Sequence, residues 1–263
     1  MSDVSYKPLI QDMTWSYSRL KAYDDCPYRW YLHYIKGYDD MDMFYASYGV
    51  FMHKLLEGFY KGELTREQML CKFLMEFSTE VKGRRPQAST VQGYIESGIQ
   101  YIKEFKPFPF NVIAIERREP FEIEGIPFTS ILDFIGELDG SIYLVDHKSR
   151  KLKERSKRKK TTQKDLELDE MLKQLYLYSI AVEKIVGKLP DYLCFNCFRT
   201  GELIVEPFDK TAFEEAKRWA VETVYKIQET ADFEPNQNVF SCFWICGVSD
   251  RCIYDIESIE ERA

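Results

Sequence analysis

An α/β or α+β domain, one mixed central sheet flanked by helices, is the fold class the sequence predicts, and three observations carry it. Apolar residues recur at helical spacing as far as Pro107. Short β-rich runs follow between 112 and 147. A helix, a hairpin and a last amphipathic helix come after them. Helices, then strands, then helix and hairpin describe layers packed on one sheet.

The elements follow in order. Residues 14–36 read as a helix entered through Thr14, Ser16 and Ser18, any of which can cap an exposed N–H, with a break at Pro27. Met52, Leu55, Leu56 and Phe59 give 49–61 the i, i+3, i+4, i+7 pattern. Helices over 65–81 and 90–106 flank a turn at Gly83–Gln87, and Pro107 and Pro109 close the region. Strands are predicted at Val112–Glu116, Phe121–Ile123, Phe128–Gly136 and Ile142–His147. A basic stretch, Lys148–Lys164, leads to a helix over 168–186. A hairpin over 191–198 and 202–206 turns at Thr200-Gly201, and a helix covers 209–229. With no internal repeat and no linker, 1–263 is read as one domain, its core about 110–230.

Composition narrows the function classes. Apolar content of 45% suits a sizeable core, and a net charge of −7 excludes a wholly basic nucleic-acid coat but not local patches. No apolar run approaches the roughly 20 residues that span a bilayer. The start, Met1-Ser2-Asp3, lacks signal-peptide order. A soluble cytoplasmic protein with no membrane partner is expected. Seven cysteines, an odd count, argue against a disulfide framework and raise the question of metal or cluster ligation.

The most informative segment is Ile131–Lys148. Asp139-Gly140 between β-rich runs is a hairpin signal. With those two residues as the turn, Leu138 pairs with Ser141, and counting outward places Asp133 opposite Asp146. Ile142, Leu144, Asp146 and Lys148 share one face of the second strand, while Tyr143 and Val145 share the other. Both faces are apolar, so the strand is central. Two adjacent carboxylates on a buried face need a protonated partner, a neutralising Lys148, or a divalent cation. A structural Asp–Lys ion pair is the plainer alternative.

Asp133 with Asp146-His147-Lys148 resembles the D…(D/E)-x-K core of the PD-(D/E)XK nucleases. Gly49-Val50-Phe51-Met52-His53 resembles the histidine motif of their RecB-like branch. Gln174-Leu175-Tyr176-Leu177-Tyr178 matches its Q-x-x-x-Y motif, and Ser16-Tyr17-Ser18 before Cys26-Pro27 resembles its N-terminal S-x-S…CP. The resemblance implies a restriction-endonuclease-like fold and a DNA nuclease using Mg²⁺ or Mn²⁺. Its metal would be held by His53, Asp133, Asp146 and the backbone carbonyl of His147. Lys148, Gln174 and Tyr178 would join Asp133 and Asp146 in catalysis, and Glu116 could bind a metal-held water. An imidazole ligand suits Mn²⁺ better than Mg²⁺. Relatives in CRISPR adaptation and phage or bacterial recombination act at DNA ends, so exonuclease action, single-stranded DNA and partner proteins from those processes are expected. The rivals are a non-catalytic DNA-binding or complex-forming module on the same fold, and a zinc-stapled structural protein.

The tail carries Cys242, Cys246 and Cys252, which need a fourth ligand to complete a zinc site or a cubane. The resemblance implies Cys26 as that ligand and a [4Fe–4S] cluster joining segments 14–36 and 240–254. The spacing C-x₃-C departs from the family's usual C-x₂-C, while C-x₅-C agrees. Trp30, Phe243 and Trp244 are expected to shield the cluster. Cys194 and Cys197, three apart on a strand, point to opposite faces and are read as buried, as is Cys71. Lys148–Lys160 carries nine basic residues and one acidic residue. Arg150, Lys151, Arg155, Lys157, Arg158 and Lys159 are candidate phosphate contacts, although a solvated loop has the same composition.

Overall fold

The computed structural model describes residues 5–158 and 160–254. A short helix α1 (Lys7–Ile10) precedes α2 (Tyr17–Asp25). Ser16 caps α2 by accepting from the Arg19 N–H, and Trp15 beside it bridges to Phe128 of the sheet. The predicted break falls at Cys26, which adopts extended backbone. Helix α3 (Pro27–Trp30) restarts with proline at its first turn, where a missing N–H is harmless, and runs into one π-helical turn over Tyr31–Ile35.

Helix α4 (Phe44–Tyr60) starts earlier than the periodicity predicts. Helix α5 (Arg66–Glu80) opens on a Thr65/Gln68 capping box, and α6 (Ala88–Glu104) follows. These three helices share a core of their own, built on Phe44, Phe51, Phe73 and Tyr101. Gly98 is required there, because a Cβ would strike the ring of Phe73, which is fully buried. Gly98→Ala is expected to cost about 1–3 kcal/mol, the range for overpacking. An unchanged urea midpoint would contradict that packing.

Strands β1 (Asn111–Ile123), β2 (Ile126–Leu138) and β3 (Ser141–Lys148) form a meander. The sequence reading split β1 around Pro120. The structure keeps one strand because β1 is the sheet edge, where a missing N–H is tolerated. Both hairpins turn through two residues of positive φ, Glu124-Gly125 (51° and 77°) and Asp139-Gly140 (51° and 80°). That is the mirror-image turn that suits strand twist.

Helix α7 (Gln163–Val186) then crosses to β4 (Tyr192–Cys197), which runs parallel to β3. It begins inside the basic stretch rather than at 168, because Thr162 and Asp165 form a capping box. Strand β5 (Glu202–Pro207) pairs antiparallel with β4, and α8 (Lys210–Glu229), α9 (Val239–Trp244) and a 3-10 turn over Ser249–Arg251 follow. The sheet order β1-β2-β3-β4-β5 makes β3 central, as the two apolar faces predicted. Ile142 and Leu144 pack into the main core with Leu175 and Leu177 of α7, while Val145 packs with Phe134 and Cys194 on the other face. Cys197 joins the main core, so Cys194 and Cys197 do face opposite ways, both buried. Cys71 is a correction: it is exposed, on the outer side of α5. No helix among the described residues is long and apolar enough to cross a membrane.

Candidate functional site

The β2–β3 ladder runs from Leu138↔Ser141 to Phe134↔Val145, the register counted from the Asp-Gly turn. One step further along the same register places Asp133 beside Asp146. On the other side of β2, the pairs Ile115↔Phe134 and Arg117↔Leu132 put Glu116 across from Asp133. Three carboxylates therefore stand in a row across three adjacent strands. Glu116 takes φ +47° in the middle of a strand, a conformation that costs a non-glycine residue roughly 1–3 kcal/mol and tends to mark functional positions.

Helix α4 brings His53 over this row. Its Nδ1 lies 3.5 Å from Asp133 Oδ2 and 3.8 Å from Glu116 Oε1, and its Nε2 lies 3.0 Å from the His147 carbonyl oxygen. One ligand atom each from His53, Glu116 and Asp133 falls within 4.8 Å of the others, the only such group among the described residues. Burial works against a charge on His53, but the carboxylates of Glu116, Asp133 and Asp146 outweigh it and raise its pKa to about 9. Burial first, and the charge of Asp146 second, push Asp133 well above the usual carboxylate range.

Asp146 is held from the other side, by α7. Gln174 Nε2 donates to Asp146 Oδ1 at 2.9 Å, and Lys148 Nζ donates to Gln174 Oε1 at 2.8 Å. The Lys148 ammonium lies 2.7 Å from Asp146 Oδ2 but off the direction of a hydrogen bond, so this buried oxygen keeps an unused acceptor. Tyr178, one turn beyond Gln174, is buried beside it. Burial raises the phenol's pKa, so the hydroxyl keeps its proton and can serve as a hydrogen-bond donor.

The donor set fits a divalent cation. Three carboxylates, an imidazole and a main-chain carbonyl converge, and an unused carboxylate oxygen remains buried. Carboxylate, carbonyl and imidazole donors together match the ligands that divalent cations take. Glu116, read from sequence only as a holder of water, belongs to the tightest trio. Its signal lay in the Glu124-Gly125 turn, from which the same outward count pairs it with Asp133. The sequence reading missed Asn196, whose amide is bonded to the buried ring of His147.

The basic stretch separates into anchors and free cations. Leu152 is buried in the core, and Asp165 accepts from the Ser156 and Thr162 N–H groups, both at 2.7 Å. Arg150 pairs with Glu167, and Arg155 is held at 2.7 Å by both Asp169 and Glu206. Lys151, Lys157 and Arg158 are exposed, and Lys159 lies outside the described residues.

Cys26, Cys242, Cys246 and Cys252 line one pocket at the opposite ends of the chain, with Tyr28, Leu32 and Tyr254. No three of these thiols lie within 4.8 Å of one another. Burial raises the Cys246 thiol to about 11. The expected shield is corrected: Phe243 packs under Arg84, Trp244 packs against Tyr45, and Trp30 lies among Trp15, Tyr23 and Phe233. Tyr28 and Tyr254 are the aromatic walls.

A family model described as the PD-(D/E)XK nuclease superfamily matches residues 14–253. No curated protein matches the chain. Among solved structures, the chain is similar to a candidate exonuclease from Eubacterium rectale, with TM-score 0.50 and 13% identity over 100% of this chain and 98% of that one. It is also similar to SSO0001, with TM-score 0.31 and 14% identity over 78% of this chain and 95% of that one. The first likeness is one of fold, and the second carries no argument.

Proposed function

The chain belongs to the PD-(D/E)XK nuclease superfamily, and from there we propose that it is a Mg²⁺- or Mn²⁺-dependent deoxyribonuclease of the RecB-like kind. In this reading it is an exonuclease at DNA ends, with single strands favoured, serving recombination, repair or CRISPR adaptation. The observation that carries the hydrolytic reading is the row Glu116, Asp133 and Asp146, faced by His53 on one side and by Lys148 with Gln174 on the other.

His53, Glu116, Asp133, Asp146 and the His147 carbonyl would hold the cation, which when bound polarises the phosphodiester and offsets charge on the leaving oxygen. Lys148 is fixed by Gln174 and Asp146, and its ammonium would orient the attacking water. Tyr178 and Gln174 present hydrogen-bond donors to the scissile strand. The deciding experiment is digestion of end-labelled single- and double-stranded DNA with Mg²⁺ or Mn²⁺. Mononucleotide release from ends supports the reading. Internal cuts alone would remove the exonuclease assignment, and no cleavage of either substrate would remove the enzyme.

The exposed cations of the 148–160 stretch are assigned to the phosphate backbone. Replacing Lys151, Lys157 and Arg158 with Ala is expected to flatten the plot of log affinity against log salt. The slope changes by about 0.7 for every phosphate of single-stranded DNA that the variant no longer neutralises. Arg155 is left in place, because its two carboxylate partners tie the loop down. An unchanged slope would leave the loop merely solvated.

A [4Fe–4S] cluster on Cys26, Cys242, Cys246 and Cys252 is assigned to the cysteine pocket. Four cysteines lining one pocket supply the ligand number that either a zinc ion or a cubane takes.

A further inference from the structure

We propose that Asn196 is a positioning residue for the metal site, acting through His147; this rests on the metal-dependent reading above. His147 joins the site with its main chain. Its N–H donates to Asp133 Oδ2 at 2.7 Å, and its carbonyl oxygen lies 3.0 Å from His53 Nε2. Its side chain lies on the other face of β3 from Asp146 and Lys148, where the ring packs edge-on against the ring of His53 with 5.4 Å between centroids. There Asn196, its partner in the β3–β4 ladder, donates from Nδ2 to the ring Nδ1 at 2.9 Å. The other Nδ2 hydrogen goes to Tyr101 Oη on α6, at 2.7 Å. An amide NH₂ only donates, so Nδ1 accepts and the ring's proton sits on Nε2.

This chain of bonds is not the cheapest way to fill the space. His147 and Asn196 are each 4% exposed, and the rings of Tyr60 and Phe108 lie nearly parallel to the imidazole. An apolar pair would suit those neighbours, and replacing both partners of a buried hydrogen bond by apolar groups is often nearly neutral for stability. Asn196 also borders a cavity of about 530 Å³ between α6 and the β4–β5 turn, and its amide is held there by hydrogen bonds. Two hydrogen bonds fix it, and it fixes the ring of His147. The orientation of that ring is coupled to the backbone of residue 147, whose carbonyl and N–H both face the site. Loosening the ring lets the two peptides that flank residue 147 tilt, which moves the carbonyl on one side and the N–H that serves Asp133 on the other.

The test measures Mn²⁺ affinity of the full chain by electron paramagnetic resonance of the free ion, beside thermal melting. Asn196→Leu is close in shape and removes both bonds. It is expected to fold and to bind Mn²⁺ 10- to 100-fold more weakly, roughly the loss seen when partners of metal ligands are removed. Tyr101→Phe removes only the far anchor and is expected to weaken binding by less. Folded Asn196→Leu with wild-type affinity overturns the proposal. If that variant does not fold, Tyr101→Phe decides: wild-type affinity overturns the proposal, and weaker binding with unchanged melting upholds it. A wild-type chain that binds no Mn²⁺ would instead overturn the metal reading on which this rests.

Discussion

Asp146→Asn is expected to reduce DNA cleavage at least about 10²-fold, the scale for losing one group that stabilises transition-state charge, while the protein still folds and binds DNA. The side chain keeps its size, and its remaining oxygen still accepts from Gln174 Nε2. What disappears is a negative charge beside Asp133 and Lys148. Asp133 gains, because the charge of Asp146 is the second cause, after burial, of its raised pKa. Lys148 loses, because the new amide nitrogen faces its ammonium, donor against donor. These changes oppose each other, so the melting temperature should move little while cation binding and water orientation both suffer. Cleavage of labelled single-stranded DNA, with DNA binding measured in Ca²⁺ and a melting curve, separates the two. A folded Asp146→Asn protein that cuts at the wild-type rate removes Asp146 from the site.

The site was legible in the sequence wherever a local rule fixed a register. Asp139-Gly140 can only turn in one way, and a strand alternates faces, so Asp133, Asp146 and Lys148 could be placed from the turn outward. The same rule applied to Glu124-Gly125 reaches Glu116, but reading β1 as two runs broke the count at Pro120. Periodicity located α4 and α7 but could not show that His53 and Gln174 meet the sheet from opposite sides, since that depends on how helices dock. Asn196 was hidden for a related reason: β4 joins β3 by a parallel pairing across a long helix, and no turn sets that register. Composition marked the basic loop and could not separate Arg155, held by two carboxylates, from Lys157, which is exposed. The aromatic walls of the cysteine pocket were misread because neighbours in sequence were taken for neighbours in space.

Cys246→Ala is expected to bleach the protein and lower its melting temperature together. Cys26 sits at the start of α3, with its Sγ accepting from the Arg29 N–H at 3.4 Å, and the other three thiols lie more than two hundred residues away in the tail. A group ligated by all four ties that tail to the helices under the sheet. Closing so long a loop restricts the unfolded chain by about 4 kcal/mol or more on the scale of covalent cross-links. In a domain of this size that corresponds to a fall on the order of 10 °C. Cys246 is the thiol to change because it lies in mid-tail, between Cys242 and Cys252, and burial raises its pKa, so ligation is what would keep it as thiolate. Wild-type protein purified without oxygen should be brown, with about four irons per chain. Cys194→Ala serves as the control: that thiol is buried against Phe134 and Val145, far from any cysteine partner on its own face, and its loss should leave colour and iron content unchanged. A colourless wild-type chain carrying one zinc would replace the cluster with an ion and keep the tie. Cys246→Ala that melts with the wild type and keeps its iron would remove both.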